Sequence, residues 1–177
     1  KFWEHALGCA VASKIIARQT GNQNAEEAFI AGLVHDIGKM IIDQYLSEDF
    51  KKICALVETG AVRIIDAELQ VLGVSHTHIG GWLARKWNLP AQLLNAIIYH
   101  HQPHLAGPDA RLVSIVHLGD SVARLAQIGS GGDNLPPVIH PSIWPLLGLD
   151  ESQVPELIEE ITVDYANSSD FLQVLQE

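Results

Sequence analysis

Leu33-Val34-His35-Asp36-Ile37-Gly38-Lys39 is the segment that decides how this sequence is interpreted. It places an imidazole, a carboxylate and an ammonium between His35 and Lys39, inside an otherwise apolar run. Charged groups are rarely buried unless a metal ion, an opposite charge or a hydrogen bond compensates for the lost water. The segment therefore predicts a compensated polar site, although His35-Asp36 taken alone is more typical of a helix cap or a surface pair.

The residues before this segment predict a helix that ends at it. Asn24 can cap the first turn, acids follow it, and apolar residues continue at helical spacing as far as Val34. His35 and Asp36 then fall at the C-terminal end of the helix. We expect Gly38 to turn the backbone before the next apolar segment begins.

The length and composition of the chain limit the possible architectures. A chain of 177 residues with 47% hydrophobic residues fits one globular domain, residues 1–177, with a substantial core. Met40 is the only methionine, so we expect the sequence to be an excerpt of a longer protein that lacks its first helices. No apolar run reaches the ~18 residues of a membrane span, and no signal peptide is evident. These features favour a cytoplasmic location without membrane contact.

Net charge and cysteine content restrict the possible partners and the cellular compartment. The formal net charge of −10 argues against binding to duplex nucleic acid. The acids of residues 150–177 are typical of a solvated helical face, with a partner-binding tail as the alternative. Cys9 and Cys54 are expected as buried thiols of a reducing compartment. Cys9 follows His5 by one helical turn, so metal ligation by Cys9 is the less favoured alternative.

Apolar residues recur at helical spacing between short Gly, Pro and Asn breaks, and no segment alternates with period two. The pattern predicts an all-α fold, a compact helical bundle, with one flexible loop at Gly129 to Pro137. The predicted helices are Phe2 to Arg18, Asn24 to His35, Met40 to Val57 with a break near 46–49, Val62 to Leu72, His76 to Trp87, Ala91 to His101, Ala110 to Ile128, Ser142 to Leu147 and Ser152 to Tyr165.

Five histidines and two aspartates fall on inward faces or at the ends of these helices. Asp120 is the most informative, because an unpaired carboxylate inside an apolar helix would shift its pKa upward or destabilise the fold. Such a set suits iron, manganese, zinc or nickel ions. Asp36, with two oxygens, could bridge two ions ~3.5–4 Å apart that share a hydroxide able to attack phosphorus. The candidate ligands are His5, His35, Asp36, His76, His100, His101 and Asp120.

Several segments of the sequence are distinctive as an ordered set, namely Phe2-Trp3-Glu4-His5, Ala31 to Lys39, His76-Thr77-His78-Ile79-Gly80, Trp82, Trp87-Asn88-Leu89-Pro90 and Tyr99-His100-His101. Together with the candidate ligands, these segments resemble the HDOD branch of the HD superfamily of metal-dependent phosphohydrolases. The likeness extends over roughly residues 2 to 125. It implies an HD-type helical bundle and a bacterial signalling output domain related to the HD-GYP cyclic-di-GMP phosphodiesterases.

The resemblance also implies roles for individual residues. Asp36 would be shared by two divalent transition-metal ions, with iron the first choice. Lys39 matches a lysine that meets a substrate phosphate in related hydrolases, and its alternative role is that of a solvated or ion-paired lysine. In an enzyme, Asp36 and Lys39 would be the catalytic residues. The first ion would be held by His5, His35, Asp36 and Asp120, and the second by Asp36, His76, His100 and His101.

The sequence also departs from the related enzymes. Gln102 stands where HD-GYP enzymes have a glutamate, and no Gly-Tyr-Pro motif follows, which argues against cyclic-di-GMP hydrolysis. Lys1 replaces a glutamate that some relatives use for a third metal. All seven ligands are kept, however, whereas many HDOD domains have lost some.

Two functions follow from these observations. The first is a metal-binding signalling output domain that contacts a signalling protein or a fused domain, with hydrolytic activity left open. The alternative is an active phosphohydrolase or phosphodiesterase acting on a nucleotide or cyclic nucleotide.

The remaining aromatic and imidazole side chains are expected to have structural roles. Trp82 and Trp87 are expected to pack in the core. His117, one turn before Asp120, is the one further histidine that could support the site, by orienting Asp120 or a water molecule.

Overall fold

The structure, a computed structural model, describes residues 1–22 and 24–174, with side chains up to residue 168. This part of the chain is a bundle of α-helices and contains no strand, which confirms the predicted all-α fold. Three short 3₁₀ turns, Pro103–Leu105, Gly107–Asp109 and Glu151–Gln153, connect helices. The helices are α1 (Phe2–Gln19), α2 (Ala25–Val34), α3 (Ile37–Tyr45), α4 (Ser47–Glu58), α5 (Ile64–Leu72), α6 (His76–Lys86), α7 (Ala91–Tyr99), α8 (Ala110–Leu125), α9 (Ile143–Leu147) and α10 (Val154–Val174).

Helices α1 and α8 form the centre of the molecule. Both are buried on nearly every face, and they pack against each other and against α2. A main apolar core surrounds them, and α9 and α10 close it with residues such as Ile143 and Ile161. A second, smaller core joins α3, α4, α5 and α6 through Ile42, Ile53 and Ile79. Because helices of both cores carry the predicted ligands, the packing of two apolar clusters positions one polar site.

Gly38 does not turn the backbone, in contrast to the role predicted for it. Helix α3 already begins at Ile37, so Gly38 lies inside the helix. A Cβ atom at Gly38 would stand 1.9 Å from the carbonyl oxygen of His76 and 2.8 Å from the backbone nitrogen of Gly80. The glycine is therefore required because α3 and α6 cross with their backbones almost in contact.

Helix α10 is longer than the sequence indicates. It continues past the predicted end at Tyr165, although polar residues follow there. The hydroxyl of Ser168 donates to the carbonyl oxygen of Asp164, 2.8 Å away, within the same helix. This bond lets a serine stay inside the helix instead of ending it.

The prediction that Trp82 and Trp87 pack in the core is wrong. Their side chains are 57% and 56% exposed. Helix α6 packs against α3 and α7, and its buried residues include Ile79, Gly80 and Ala84. Both indoles are therefore left on the outside of the bundle.

Residues 129–137, predicted as a flexible loop, lie outside helices and are tied down by several contacts. The carboxylate of Asp133 accepts the backbone N–H of Ile64 at 3.0 Å and pairs with Arg124 at 2.7 Å. We call this segment the 129–137 strap. Among the described helices, none combines the length and the apolar composition that a bilayer crossing requires.

Candidate metal centre

The structure brings all seven predicted ligands together in one cluster. Six of them are buried and His101 is half-buried. They come from α1 and α8 in the main core, from the connection between α2 and α3, from the start of α6 and from the end of α7. In chain order they are His5, His35, Asp36, His76, His100, His101 and Asp120.

Asp36 lies in the middle of the cluster and directs its two oxygens to different neighbours. Oδ2 is 3.3 Å from Nε2 of His35 and 3.8 Å from Nε2 of His5. Oδ1 is 3.3 Å from Nε2 of His76 and 3.6 Å from Nε2 of His100. The carboxylate thus separates two groups of imidazoles, with one oxygen facing each.

The first group, His5, His35 and Asp120, is called the His5 group. Its potential ligand atoms all lie within 4.8 Å of one another. Nε2 of His5 is 3.1 Å from Oδ1 of Asp120, yet this nitrogen has no hydrogen-bond partner in the described part of the chain. His35 donates its Nδ1 proton to the carbonyl oxygen of Gly32 at 2.6 Å, which directs Nε2 into the cluster.

In the His5 group, neighbouring charges outweigh burial in setting the pKa values. Burial alone would lower the pKa of His35, but the carboxylate of Asp36 and the thiol of Cys9 raise that pKa well above its usual value. Burial likewise opposes ionisation of Asp120, but the adjacent imidazole of His5 holds the pKa of Asp120 well below its usual value. The group therefore combines an ionised carboxylate, Asp120, with an imidazole, His35, that retains its proton.

The second group, His76, His100 and His101, is called the His76 group, and its ligand atoms also lie within 4.8 Å of one another. The Nε2 atoms of His76 and His101 are 3.1 Å apart. Nδ1 of His100 faces the carbonyl oxygen of Ile97 at 3.0 Å, which leaves Nε2 turned toward Asp36. Burial holds the pKa values of His76 and His101 well below the usual value, so both imidazoles are neutral near pH 7.

Glu68, which sequence reasoning missed, supports the His76 group from behind. Its Oε2 accepts the Nδ1 proton of His76 at 2.6 Å and the backbone N–H of the same residue at 2.8 Å. This contact fixes the tautomer that leaves Nε2 of His76 free to bind an ion. Burial raises the pKa of Glu68 to about 7. The sequence contained one indication of this role, because Glu68 lies four residues after Ile64 and therefore on the same buried face of α5.

Lys39 is buried and ion-paired, in line with the ion-paired lysine that was the alternative to a phosphate-binding role. Its Nζ donates to Oδ2 of Asp36 at 2.6 Å and to the carbonyl oxygen of Gly131 at 2.8 Å. Burial opposes the charge of Asp36, but His35 and Lys39 hold the pKa of that carboxyl well below its usual value. Asp36 therefore stays ionised in its buried position.

His117 supports the centre through a different partner from the expected one. Its Nδ1 donates to the carbonyl oxygen of His100 at 2.6 Å, and its Nε2 accepts the backbone N–H of His140 at 2.9 Å. Both contacts require the neutral ring, in keeping with the lowered pKa that burial produces. His117 thus orients the backbone that carries His100, and it does not orient Asp120.

Cys9 and three other histidines lie outside the candidate ligand groups. The thiol of Cys9 is fully buried beside Ser13 and directed at the carbonyl oxygen of Val116, 3.9 Å away. His78 completes a capping box with Ser75 at the start of α6. The rings of His104 and His140 stack on each other, with centroids 4.4 Å apart.

Several buried polar atoms in the cluster lack the partner that folding normally provides. They are Nε2 of His5, His35 and His100 and Oδ1 of Asp36, none of which forms a hydrogen bond within residues 1–22 and 24–174. Buried polar atoms are nearly always paired in folded proteins, because an unpaired one costs roughly 1–3 kcal/mol. The three imidazole nitrogens surround the carboxylate of Asp36 at 3.3–3.8 Å. Together the four atoms form an imidazole and carboxylate donor set that fits divalent transition metals.

A cavity of about 180 Å³ lies against the exposed side of this cluster. His101 and Asp120 form its inner wall, and Arg63 and Arg124 line it as well. A small molecule in the cavity would touch two of the predicted ligands.

Comparison with known proteins identifies the family. The HDOD domain model matches residues 1–103. An uncharacterized protein from Treponema pallidum (strain Nichols) is 30% identical over 129 residues, which are 70% of this chain and 25% of that protein.

Solved structures agree with this match. An HDOD domain protein with unknown function from Geobacter sulfurreducens superposes with a TM-score of 0.82 at 28% identity, over 96% of this chain and 61% of that one. A presumed signal transduction protein from Marinobacter aquaeolei VT8 shares the fold, with a TM-score of 0.83 at 21% identity, over 100% of this chain and 39% of that one. The chain thus spans less than two thirds of each of these relatives. Because the family match extends over more than half of its residues, this chain belongs to the HDOD domain family.

Proposed function

We propose that this chain is a metal-binding HDOD signalling domain whose cluster holds two divalent transition-metal ions. Asp36 is the ligand shared by the two ions. Iron is the first choice, with manganese, zinc and nickel as alternatives. The first ion is held by His5, His35, Asp36 and Asp120, and the second by Asp36, His76, His100 and His101.

The observation that carries this proposal is the set of unpaired buried atoms around Asp36. Three imidazole nitrogens surround the carboxylate of Asp36 at 3.3–3.8 Å, and neither they nor Oδ1 of that carboxylate form a hydrogen bond among the described residues. A folded protein rarely tolerates several such atoms together. Metal ions would satisfy them at once, and Asp36 already directs one oxygen to each imidazole group.

The residues of this chain have distinct parts in such a centre. Glu68 holds His76 in the tautomer that exposes Nε2, and His117 fixes the backbone of His100. The ammonium of Lys39 offsets the charge of Asp36. The bound ions would supply Lewis-acid polarisation of a phosphoryl oxygen.

Signalling is the preferred function because the chain belongs to the HDOD family and lacks motifs of the related phosphodiesterases. Gln102 replaces their glutamate, and no Gly-Tyr-Pro motif follows His101. The output would then be contact with a signalling protein or a fused domain. The metal ions would fix the relative positions of the helices of the two cores.

Phosphohydrolysis is the second candidate, and one observation favours it. The cavity of about 180 Å³ beside His101 and Asp120 would admit a phosphate ester next to the proposed ions. Asp36 and Lys39 would then be the catalytic residues, with Lys39 leaving the carbonyl oxygen of Gly131 to meet the phosphate.

Metal analysis tests the proposal directly. Protein purified without chelator and without a histidine-rich tag should contain about two transition-metal ions per chain by plasma mass spectrometry. Asp36→Ala should contain almost none, because it removes the shared ligand. Asp43→Ala, which removes an exposed carboxylate from the helix that follows Asp36, is the matched control and should keep both ions. A folded wild-type protein without transition metal would refute the proposal.

Turnover separates the two candidate functions. Metal-loaded wild-type protein and Asp36→Ala should be compared on bis(4-nitrophenyl) phosphate and on nucleoside monophosphates. Hydrolysis that Asp36→Ala abolishes would establish the phosphohydrolase. Metal-loaded protein that hydrolyses none of these esters leaves the signalling function.

A further inference from the structure

The end of α6 exposes a surface that is both aromatic and cationic, here called the Trp82 face. It consists of Trp82, Arg85, Lys86 and Trp87, and all four side chains are exposed. The two cations follow Trp82 by three and four residues, which places them beside its indole on the helix surface. Tryptophan and arginine are enriched where proteins bind one another, and tryptophan often dominates the binding energy.

The backbone that follows this face is held in a defined conformation. Asn88 is left-handed, with a φ of 54°. The backbone N–H of Leu89 donates to the carbonyl oxygen of Ala84 at 3.0 Å, which closes the end of α6. Pro90 then restricts the backbone directly before α7. Because this turn is already ordered, little conformational entropy is lost when another molecule contacts Trp87.

The polar groups of the Trp82 face have no partner within the described part of the chain. There the side chains of Arg85 and Lys86 form no ion pair and no hydrogen bond, and both indole N–H groups are equally free. Other exposed or half-buried cations differ, because Lys14, Lys51 and Lys52 each pair with a carboxylate. The Trp82 face therefore has charge and donors available for another molecule.

The sequence around the Trp82 face contains no acid. Residues 69–108, which include α6 and α7, have no Asp or Glu, although the whole chain has 21. Arg85 and Lys86 are the only Lys or Arg in this stretch. At physiological salt, exposed charges more than ~8 Å apart are largely screened. An acidic molecule would therefore meet local positive charge here, despite the net charge of −10.

Helix α10 has the opposite character. Residues 150–177 contain eight acids and no Lys or Arg. Exposed residues recur along α10 at helical spacing and form one stripe, here called the α10 stripe, of Glu156, Glu159, Glu160 and Val163. The side chain of Val163 is 62% exposed. Since α10 packs against α1 and α8, and α6 packs against α3 and α7, both surfaces remain open in the single chain.

We propose that the Trp82 face binds the α10 stripe of a second copy of this chain. Its two cations would pair with glutamates of the stripe, and its indoles would cover Val163. The indole N–H groups can donate to the same carboxylates. Every copy carries both surfaces, so two copies can make the contact reciprocally. This contact requires no metal ion and is therefore independent of the proposed function.

Sedimentation velocity of the chain over a range of concentrations tests this contact. The weight-average mass of the wild type should rise with concentration, and less so at high salt. The face-reversal variant, Arg85→Glu with Lys86→Glu, should associate at least roughly tenfold more weakly, because like charges then oppose each other. Lys51→Glu with Lys52→Glu makes the same change at an exposed position on α4 and should associate like the wild type.

A charge exchange identifies α10 as the other half of the contact. The stripe-reversal variant, Glu156→Lys with Glu159→Lys, should remain monomeric alone, because its face and its stripe are both positive. An equal mixture of the stripe-reversal and face-reversal variants should associate again, since each face then meets a stripe of opposite charge. Recovery in the mixture also shows that both variants are folded.

Several outcomes would overturn this assignment. One is a wild-type chain that stays monomeric at every concentration, and another is a mixture that fails to associate although the wild type does. Equal weakening by the α4 control would mean that only net charge matters. A monomeric wild type that sediments with phosphatidylglycerol vesicles, while the face-reversal variant does not, would assign the Trp82 face to a lipid surface instead.

Discussion

The His5 group and the His76 group flank the same carboxylate but are stabilised in different ways. The His5 group contains a second carboxylate, Asp120, and its His5 ring has no hydrogen-bond partner among the described residues at either nitrogen. The His76 group has three imidazoles, and Glu68 fixes the tautomer of His76 from behind. The first group therefore offers charge to an ion, and the second offers preoriented neutral nitrogens.

The two groups also differ in the protonation of their histidines. The carboxylate of Asp36 raises the pKa of His35 against the effect of burial, whereas burial lowers the pKa of His76 and His101. An imidazole must lose its Nε2 proton before it can bind an ion. An ion at the His5 group therefore competes with a proton, and an ion at the His76 group competes much less. Two sites that share Asp36 should thus respond differently to mutation and to pH.

Removing Asp120 should have the largest effect, because it leaves the His5 group without its own carboxylate. We expect Asp120→Asn to contain about one ion per chain instead of about two, with the His76 group still occupied. Plasma mass spectrometry gives the count, and circular dichroism checks that the helices remain. Asp43→Asn is the matched control for loss of one acidic charge. A variant that still holds both ions would mean that the two groups do not bind separate ions.

Glu68→Gln should have the next largest effect, on the other group. The amide cannot supply the charge that orients His76, and loss of such a partner typically weakens metal binding 10–100-fold. Metal titration with a competing chelator should show the weaker step in the variant. The replacement keeps the volume, so the folded structure is a fair reference. If both binding steps weaken equally, or neither does, the support of Glu68 is not specific to the His76 group.

The pH dependence should give the smallest and most specific difference. Because its pKa is raised, His35 keeps its proton to higher pH, so the affinity of the His5 group should fall as pH decreases. Competition with one proton lowers affinity about tenfold per pH unit below that pKa. The His76 group should lose little over the same range. Occupancy measured between pH 8 and pH 6 should therefore decrease from about two ions per chain to about one, and equal loss from both groups would contradict the comparison.

The sequence predicted the helices well and indicated which polar side chains would be buried together, because both depend on local pattern. Apolar spacing marks a helix, and a carboxylate such as Asp120 within it marks a buried polar site. Glu68 was missed because it lies eight residues from the histidine that it supports, on a helix with no other sign of function. Gly38 was misassigned because a glycine at a turn and a glycine at a helix crossing look the same in sequence. The indoles of Trp82 and Trp87 were misassigned because hydrophobicity alone does not tell which helix face finds a neighbour.

The contacts of Arg63 and Arg124 could not be predicted for a related reason. Each arginine meets a strap residue whose position depends on how the chain returns after α8. Nothing in the local sequence of residues 129–137 indicates that its carbonyl oxygens face two guanidinium groups. Interactions of this kind become visible only when the helices are assembled.

The crossing of α3 and α6 at Gly38 and Gly80 has a consequence for how such a domain can diverge. Asp36 directly precedes α3 and His76 begins α6, so their separation depends on backbone contact and not on the size of intervening side chains. Exchange of a side chain in the smaller core should therefore leave these two groups at the same separation. A single methyl group at Gly38, by contrast, would force the two backbones apart and displace Asp36 from His76.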